Sequence, residues 1–250
     1  MFPKGWELPA RLASALGFRV VWQIAAMIAD SRLLPTATAV VATMVRLTVS
    51  GALPWNLAIT LGRVAAAFTV SLLLGGALGI AMGCWRRLDV LLDSAVTVLL
   101  NLPAVVAIVL IYVWFGLNEW AAIAAVALNK LPSTVVVLRE GARSLDPALA
   151  EMARSFRMSR GRTLRHVILP QLTPYIIAAA RSGLALIWKI VLVVELLGRS
   201  NGVGFQIEIY FQLFDVTAIL AYTLAFIMVV QVIEWSILQP LERWATRWRT

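Results

Sequence analysis

Among the polar side chains within the long apolar runs of this sequence, Asn101, Asn129, Lys130, Lys189 and Glu195 are the candidates to line a passage. A charge at bilayer depth costs roughly 2.5–3.5 kcal/mol on insertion scales, so such groups face protein or a watery cavity. Two arrangements suit them. Lys130 and Lys189 line a passage and favour an anion, or one of them forms a buried ion pair with Glu195. Asn101 and Asn129 lie beside Pro103 and Pro132. Each proline removes a backbone hydrogen bond and is expected to kink its helix. The two amides then either satisfy the freed backbone groups or line the same passage. Catalytic chemistry has no comparable support. The chain has no GxxxxGK[ST] or HExxH run, and its polar groups are too scattered for a membrane enzyme. A single Cys84 and a single His166 exclude an internal disulfide framework and argue against a Cys/His metal cluster. His166 reads as a solvated loop residue.

The elements that must position these groups are membrane helices. Of the 250 residues 61% are hydrophobic and only 14% charged, and the mean hydropathy is +0.85. Soluble domains carry about a quarter charged residues. Several runs reach the roughly 20 residues that cross a bilayer core, and they are continuous rather than alternating. The expected fold is all-α and polytopic, with six spans: Leu12–Ala29, Trp55–Met82, Leu91–Phe115, Trp120–Leu138, Leu172–Leu197 and Val216–Leu238. Thr36–Ser50 is too mixed to span and reads as a short amphipathic helix at the interface. Trp6, Trp55, Trp85, Trp114, Trp120, Trp235, Trp244 and Trp248 fall near span ends, as in an aromatic belt. Gly75, Gly79 and Gly83, with Gly76 beside them, give the second span a small face for close helix packing. That packing is expected within the subunit, with a dimer contact or a moving gate as the alternative.

Charge sets the orientation. With both termini in the cytoplasm, the cytoplasmic segments hold fourteen basic residues: Lys4, Arg11, Arg86, Arg87, seven from Arg139 to Arg165, and Arg243, Arg247 and Arg249. The other side holds three, Arg32, Arg46 and Arg199. The positive-inside rule accounts for the net charge of +9 without nucleic acid. A cleaved signal peptide over the first span is disfavoured by Arg19, which interrupts it.

The longest cytoplasmic segment, residues 139–170, is basic and structured. Asp146 suits an N-cap and Pro147 the first helical position. Leu149, Met152, Ala153 and Phe156 recur at helical spacing and form one apolar face. By periodicity, insertion into a groove on a partner and lying flat on the bilayer are equally good readings.

Glu151-Met152-Ala153 followed by Ile168-Leu169-Pro170 resembles the EAA loop of binding-protein-dependent ABC importer permeases. Leu34-Pro35, Arg86-Arg87-Leu88-Asp89, Trp114-Phe115-Gly116, Ser144-Leu145-Asp146-Pro147 and Glu195-Leu196-Leu197-Gly198 with Gly202-Val203-Gly204 resemble the nitrate, sulfonate and taurine branch. The likeness covers about 34–243, within a single permease domain over 1–250. It implies a coupling helix that docks on an ATPase subunit through Asp146, Leu149, Glu151, Met152, Ala153, Phe156, Arg157, Leu169 and Pro170. It also implies a pair of ATPase subunits holding ATP and Mg, with no cofactor in this chain, and a periplasmic substrate-binding protein facing a flexible loop at Gly198–Gly204. A second permease copy would complete a homodimer in a bacterial inner membrane. The implied activity is alternating access for a small anion such as a sulfonate or nitrate. A secondary transporter or channel without an ATPase is the alternative. It would carry an internal repeat, and none is found. Two positions depart from the family: Met152 replaces Ala, and Arg157 replaces the Gly that turns the chain. The helix is therefore expected to run on to about Ser159, or the turn to differ.

Overall fold

The computed structural model describes residues 7–31 and 33–240. Lys4, Arg32, Arg243, Arg247 and Arg249 of the charge count, and Trp6, Trp244 and Trp248 of the aromatic belt, lie outside the described residues, as do both termini. Every regular element among the described residues is helical. α1 is Glu7–Ala29, α2 Ala37–Val49, α3 Ala52–Cys84, α4 Arg86–Asn101, α5 Ala104–Phe115 and α6 Glu119–Arg143. α7 is Pro147–Ser155, α8 Arg160–Thr163, α9 Leu169–Gly198, α10 Val203–Gln212 and α11 Val216–Ile233. A π-helical turn, Leu164–Ile168, joins α8 to α9, and a second, Glu234–Leu238, extends α11.

Among the described residues four continuous helices are long and apolar enough to cross a membrane: α3, α6, Arg160–Gly198 and Val216–Ser236. The third expected span, Leu91–Phe115, is not one helix. It divides into α4 and α5, which meet at 102° and count as a fifth crossing only together. Pro103 cannot donate to a helix ladder, and the residue before a proline is pushed out of helical backbone. Leu102 accordingly sits at φ −70°, ψ 123° and Pro103 at φ −59°, ψ 130°. The expected kink is thus a break. Asn101 donates to Thr97 O at 2.8 Å, within its own helix. Pro132, in contrast, is accommodated inside α6, which continues past it.

The core forms where α3, α5, α6, α9 and α11 meet, around Ile108, Ala125, Val126, Ile187, Val191, Val194 and Tyr222. Trp188 and Phe226 meet edge to face there, with centroids 5.9 Å apart. α3 and α6 form the most extensive helix pair. Their approach is set by the glycines. A Cβ on Gly75 would come within 3.0 Å of Leu131 O, one on Gly79 within 2.5 Å of Val135 O, and one on Gly83 within 2.5 Å of the Ala142 Cβ. All three glycines therefore lie along the contact with α6, inside the subunit.

α2 begins where expected, with the Thr36 hydroxyl accepting from Ala39 N at 3.3 Å. It does not lie free at an interface. Val40 is fully buried, and the helix packs against α11 and α3. Trp55, Trp85, Trp114, Trp120 and Trp235 are all exposed, as side chains facing lipid headgroups would be. Arg86, Arg87, Arg139 and Arg143 mark one end of the bundle, called here the basic face. Glu119 and Gly198 mark the opposite face.

Gly79→Ala is expected to lower stability by about 1–3 kcal/mol, because the added methyl meets the α6 backbone and the core is overpacked. Gly62→Ala, whose Cβ meets nothing within 4 Å, is the control. Thermal unfolding of both variants in detergent checks this.

Candidate functional site

At the opposite face Arg63 of α3 organises an ionic cluster that runs from the fully buried Glu195 to the half-exposed Glu119. Its Nε donates to Glu119 Oε1 at 2.6 Å and its Nη2 to Glu119 Oε2 at 2.9 Å. Its Nη1 donates to Glu195 Oε1 at 2.7 Å and to the Asn201 carbonyl at 2.9 Å, while Nη2 also reaches Asn201 Oδ1. All five guanidinium N–H groups are thereby used. Arg199 adds a second cation, bonding Glu119 Oε2 at 2.9 Å and Leu117 O at 2.8 Å. Two arginines and two glutamates close as a neutral set. Arg63 is 3% exposed and Glu195 is fully buried.

Glu195 also accepts from Gly204 N at 2.8 Å, and the Thr60 hydroxyl lies 2.9 Å from each of its oxygens. That hydroxyl receives Val203 N at 2.9 Å, and Asn56 Oδ1 receives Gly202 N at 2.8 Å. The cluster thus supplies partners for the first N–H groups of α10, which a helix start leaves open. Gly202 has φ +104°, and any Cβ there would strike the Glu195 carboxylate, so glycine is required on both counts. The segment expected to be a flexible loop, Gly198–Gly204, is therefore pinned at both of its ends and in its middle. The ion pair expected between Lys130 or Lys189 and Glu195 does not form either. Arg63 occupies that place. Neither Arg63 nor Glu119 was singled out by the sequence reading, although an arginine in an apolar span requires an acid at the same depth.

At the basic face the amphipathic α4 is tied to α6. Asp89, 5% exposed, lies 2.5 Å from Arg143 Nη2 and 3.4 Å from Arg139 Nη1, and Arg139 also pairs with Asp93 at 2.5 Å. Two of the seven basic residues of segment 139–170 are therefore engaged within the subunit.

α7 follows. Asp146 caps it by accepting from Ala148 N at 2.8 Å, and Pro147 takes the first turn. Its stalk is held by α9. Gln171 accepts from Asp146 N at 2.9 Å, and Ser144 bonds the Tyr175 hydroxyl at 2.8 Å. Ala153 is buried, whereas Leu149, Met152 and Phe156 are exposed, Phe156 by 77%. One side of α7 is thus seated on the molecule, and an apolar side is left outward. Glu151 is exposed beside it. The helix stops at Ser155 rather than running on to Ser159. Met158 N bonds Ala153 O at 2.9 Å and Arg157 N bonds Arg154 O at 2.9 Å. This is the Schellman pattern, and Arg157 itself takes the left-handed conformation, φ +49°, that glycine usually fills. The turn is kept without the glycine.

Leu169 and Pro170 are exposed at the start of α9. Pro170 lies two residues past the π-helical turn, whose last bond runs from Leu169 N back to Leu164 O. The widened turn relieves the clash between the proline ring and the preceding helix. Lys130 is buried at mid-helix in α6, Lys189 is exposed on α9, and Asn129 is half-buried. Among the described residues no group of His, Cys, Asp and Glu could hold a metal ion.

Residues 71–237 match the family described as the binding-protein-dependent transport system inner membrane component. A putative aliphatic sulfonates transport permease protein of Bacillus subtilis is 30% identical over 98% of this chain and 87% of its own length. The protein of the same description from Escherichia coli is 33% identical over 80% of this chain and 74% of its own. The fold is shared with a solved amino acid ABC transporter with histidines, at a TM-score of 0.61 and 23% identity, over 79% of this chain and 96% of that one. The chain belongs to this family: it is an ABC importer permease of the sulfonate, taurine and nitrate branch, a transport subunit rather than an enzyme. Membership implies an ATPase and a binding protein as partners.

Arg63→Met leaves the fully buried Glu195 without a cation, Glu119 keeping only Arg199, and is expected to cost about 3–5 kcal/mol. Glu195→Gln keeps part of the hydrogen bonding and is expected to cost about 1–3 kcal/mol. Thermal unfolding ranks the two. Arg157→Gly removes a left-handed penalty of about 1–2 kcal/mol. It should slow amide exchange at Phe156, Arg157 and Met158, as read by hydrogen-exchange mass spectrometry.

Proposed function

We propose that this chain is the membrane half of an importer in which α7 is the coupling helix. The single observation that carries the reading is the state of α7 itself. It is capped at both ends, fixed to α9 through Gln171 and Tyr175, and buried on its Ala153 side. Its Leu149, Met152 and Phe156 side chains point away from the subunit. An amphipathic helix presenting a short run of apolar anchors suits a groove on a partner. Rigid attachment to two transmembrane helices suits the transmission of force better than adsorption to lipid does.

In this reading the basic face is cytoplasmic, with both termini on that side, and ATPase subunits sit against α7. α1 supplies a sixth crossing beside the five recognised by length and composition. Two copies of the chain enclose the passage, and the binding protein docks over the pinned segment that follows α9. ATP binding draws the coupling helices together, and the bundles rock from one access state to the other. Rigid-body change of this kind is biased by both ATP and the loaded binding protein. The solute is a small anion of the aliphatic sulfonate type, as the names of the relatives suggest.

Tagged chain extracted in mild detergent should retain a stoichiometric ATPase, and Phe156→Asp or Met152→Asp should release it while the permease stays monodisperse. Full retention of the ATPase by both variants overturns the coupling role of α7.

A further inference from the structure

Lys130 is the one buried cation among the described residues that no carboxylate pairs. It is 3% exposed. Its Nζ lies 2.7 Å from the Ser133 hydroxyl and 3.4 Å from the Ser182 hydroxyl. An ammonium carries three N–H donors and a full charge. Two neutral hydroxyls leave one donor and all of the charge uncompensated. The position is deep. Lys130 is eleven residues into the 25-residue α6, about 16 Å from its end. Its place is also shaped, because a Cβ on Gly183 would sit 2.7 Å from the lysine Cε. Glycine at that position of α9 lets the lysine stem pass and brings its head to Ser182.

Ser182 is exposed on α9, and Lys189, two turns further along, is exposed on the same side of that helix. Between them on that face lie Ala185 and Leu186. A face carrying Ser182 and Lys189 is unsuited to lipid at this depth and fits a passage or a cavity. The Lys130 ammonium lies one side chain behind that face and shares a hydroxyl with it. Residues on two helices thus converge on a mid-membrane point of positive potential. Lys189 precedes it on the way from the opposite face.

We propose that Lys130, with the Ser133 and Ser182 hydroxyls, is a subsite for the anionic head of the solute inside the membrane, reached along the Lys189 face of α9. The proposal rests on the permease reading and adds to it a selective site within the passage. A sulfonate presents three oxygens and a full negative charge. It would take the third ammonium donor and neutralise the buried cation, and the Ser133 and Ser182 hydroxyls, which here donate to the Lys130 and Ala179 carbonyls at 3.0 and 3.3 Å, would turn to it.

The test uses the permease with its ATPase and binding protein in proteoliposomes, with radiolabelled ethanesulfonate as the probe. Lys130→Met keeps the apolar stem against Gly183 and removes only the charge. It is expected to lower ATP-driven uptake roughly tenfold or more while ATP hydrolysis stimulated by the binding protein persists. Lys130→Arg should restore much of the uptake, and Ser182→Ala should raise the half-saturating concentration of ethanesulfonate. Ethanesulfonate should also raise the melting temperature of the wild-type complex and leave that of Lys130→Met unchanged. Uptake by Lys130→Met close to that of the wild type overturns the subsite. So does a parallel fall in uptake, ATP turnover and melting temperature that Lys130→Arg does not rescue, because that is the signature of packing. A wild-type complex that imports a neutral solute and excludes ethanesulfonate overturns the subsite and leaves the permease reading intact. Absence of ATP-driven uptake of any solute removes that reading itself.

Discussion

A guanidinium buried in a membrane helix must be surrounded by acceptors, and the arrangement around Arg63 follows from that requirement. The ion cannot lose its proton, so burial has to be met by geometry rather than by titration. Glu119 from α6 and Glu195 from α9 supply charge, and Asn201 supplies two neutral acceptors. Three helices and the segment before α10 are held at fixed distances by one side chain. Arg199 balances the second carboxylate, so the cluster carries no net charge into the hydrocarbon. Removing any one member uncovers another, which makes the set cooperative in a way that isolated surface pairs are not.

The rest of the packing is compatible with this fixed point. Gly75, Gly79 and Gly83 let α6 lie against α3 along the half of α3 remote from Arg63. At the basic face, Asp89 and Asp93 fasten α4 to the far end of α6 through Arg139 and Arg143. α3 and α6 are therefore joined by ions at one end, by backbone proximity along the middle, and through α4 at the other end. Without a hydrophobic drive between helices in lipid, association depends on close packing and polar contacts of this kind.

Much of this architecture was legible in the sequence because membrane spans are defined by apolar length. Trp55–Met82 falls within α3, and Trp120–Leu138 within α6. Helix α7 was legible for a local reason: Asp146 and Pro147 carry their own start signal, and the apolar spacing from Leu149 to Phe156 does not depend on tertiary context. Three features were less accessible. A proline in an apolar run is compatible with a kink or with a break, and Pro132 and Pro103 illustrate both. Asp93 inside the expected third span was the usable clue that α4 lies apart from α5. The Schellman turn at Arg157 has no sequence signal, since the residue adopts its backbone against its own preference. The partner of Glu195 was obscured because three basic residues, Lys130, Lys189 and Arg63, lay within plausible reach, and only the relative rotation of α3, α6 and α9 selects among them. Depth offered a guide: Glu119 and Glu195 both lie near the face that Arg63 approaches, whereas Lys130 is set back toward the centre of its helix.

The same rotation explains how the two ends of the molecule are connected. α7 hangs from α6 by the short stalk 144–146 and is fastened to α9 through Gln171 and Tyr175. Displacement of α7 is therefore delivered to α6 and α9 together. These two helices are also the ones that share the Lys130 head, with the ammonium on α6 and the Ser182 hydroxyl on α9. At the opposite face they are locked to each other through Glu119, Arg63 and Glu195. The Lys130 to Ser182 contact, long at 3.4 Å, bridges the same two helices between those ends. Under the proposed coupling role of α7, a change in that spacing would alter the partners of the ammonium between access states, and a site with different partners in two states supplies the differential affinity that a driven passage requires.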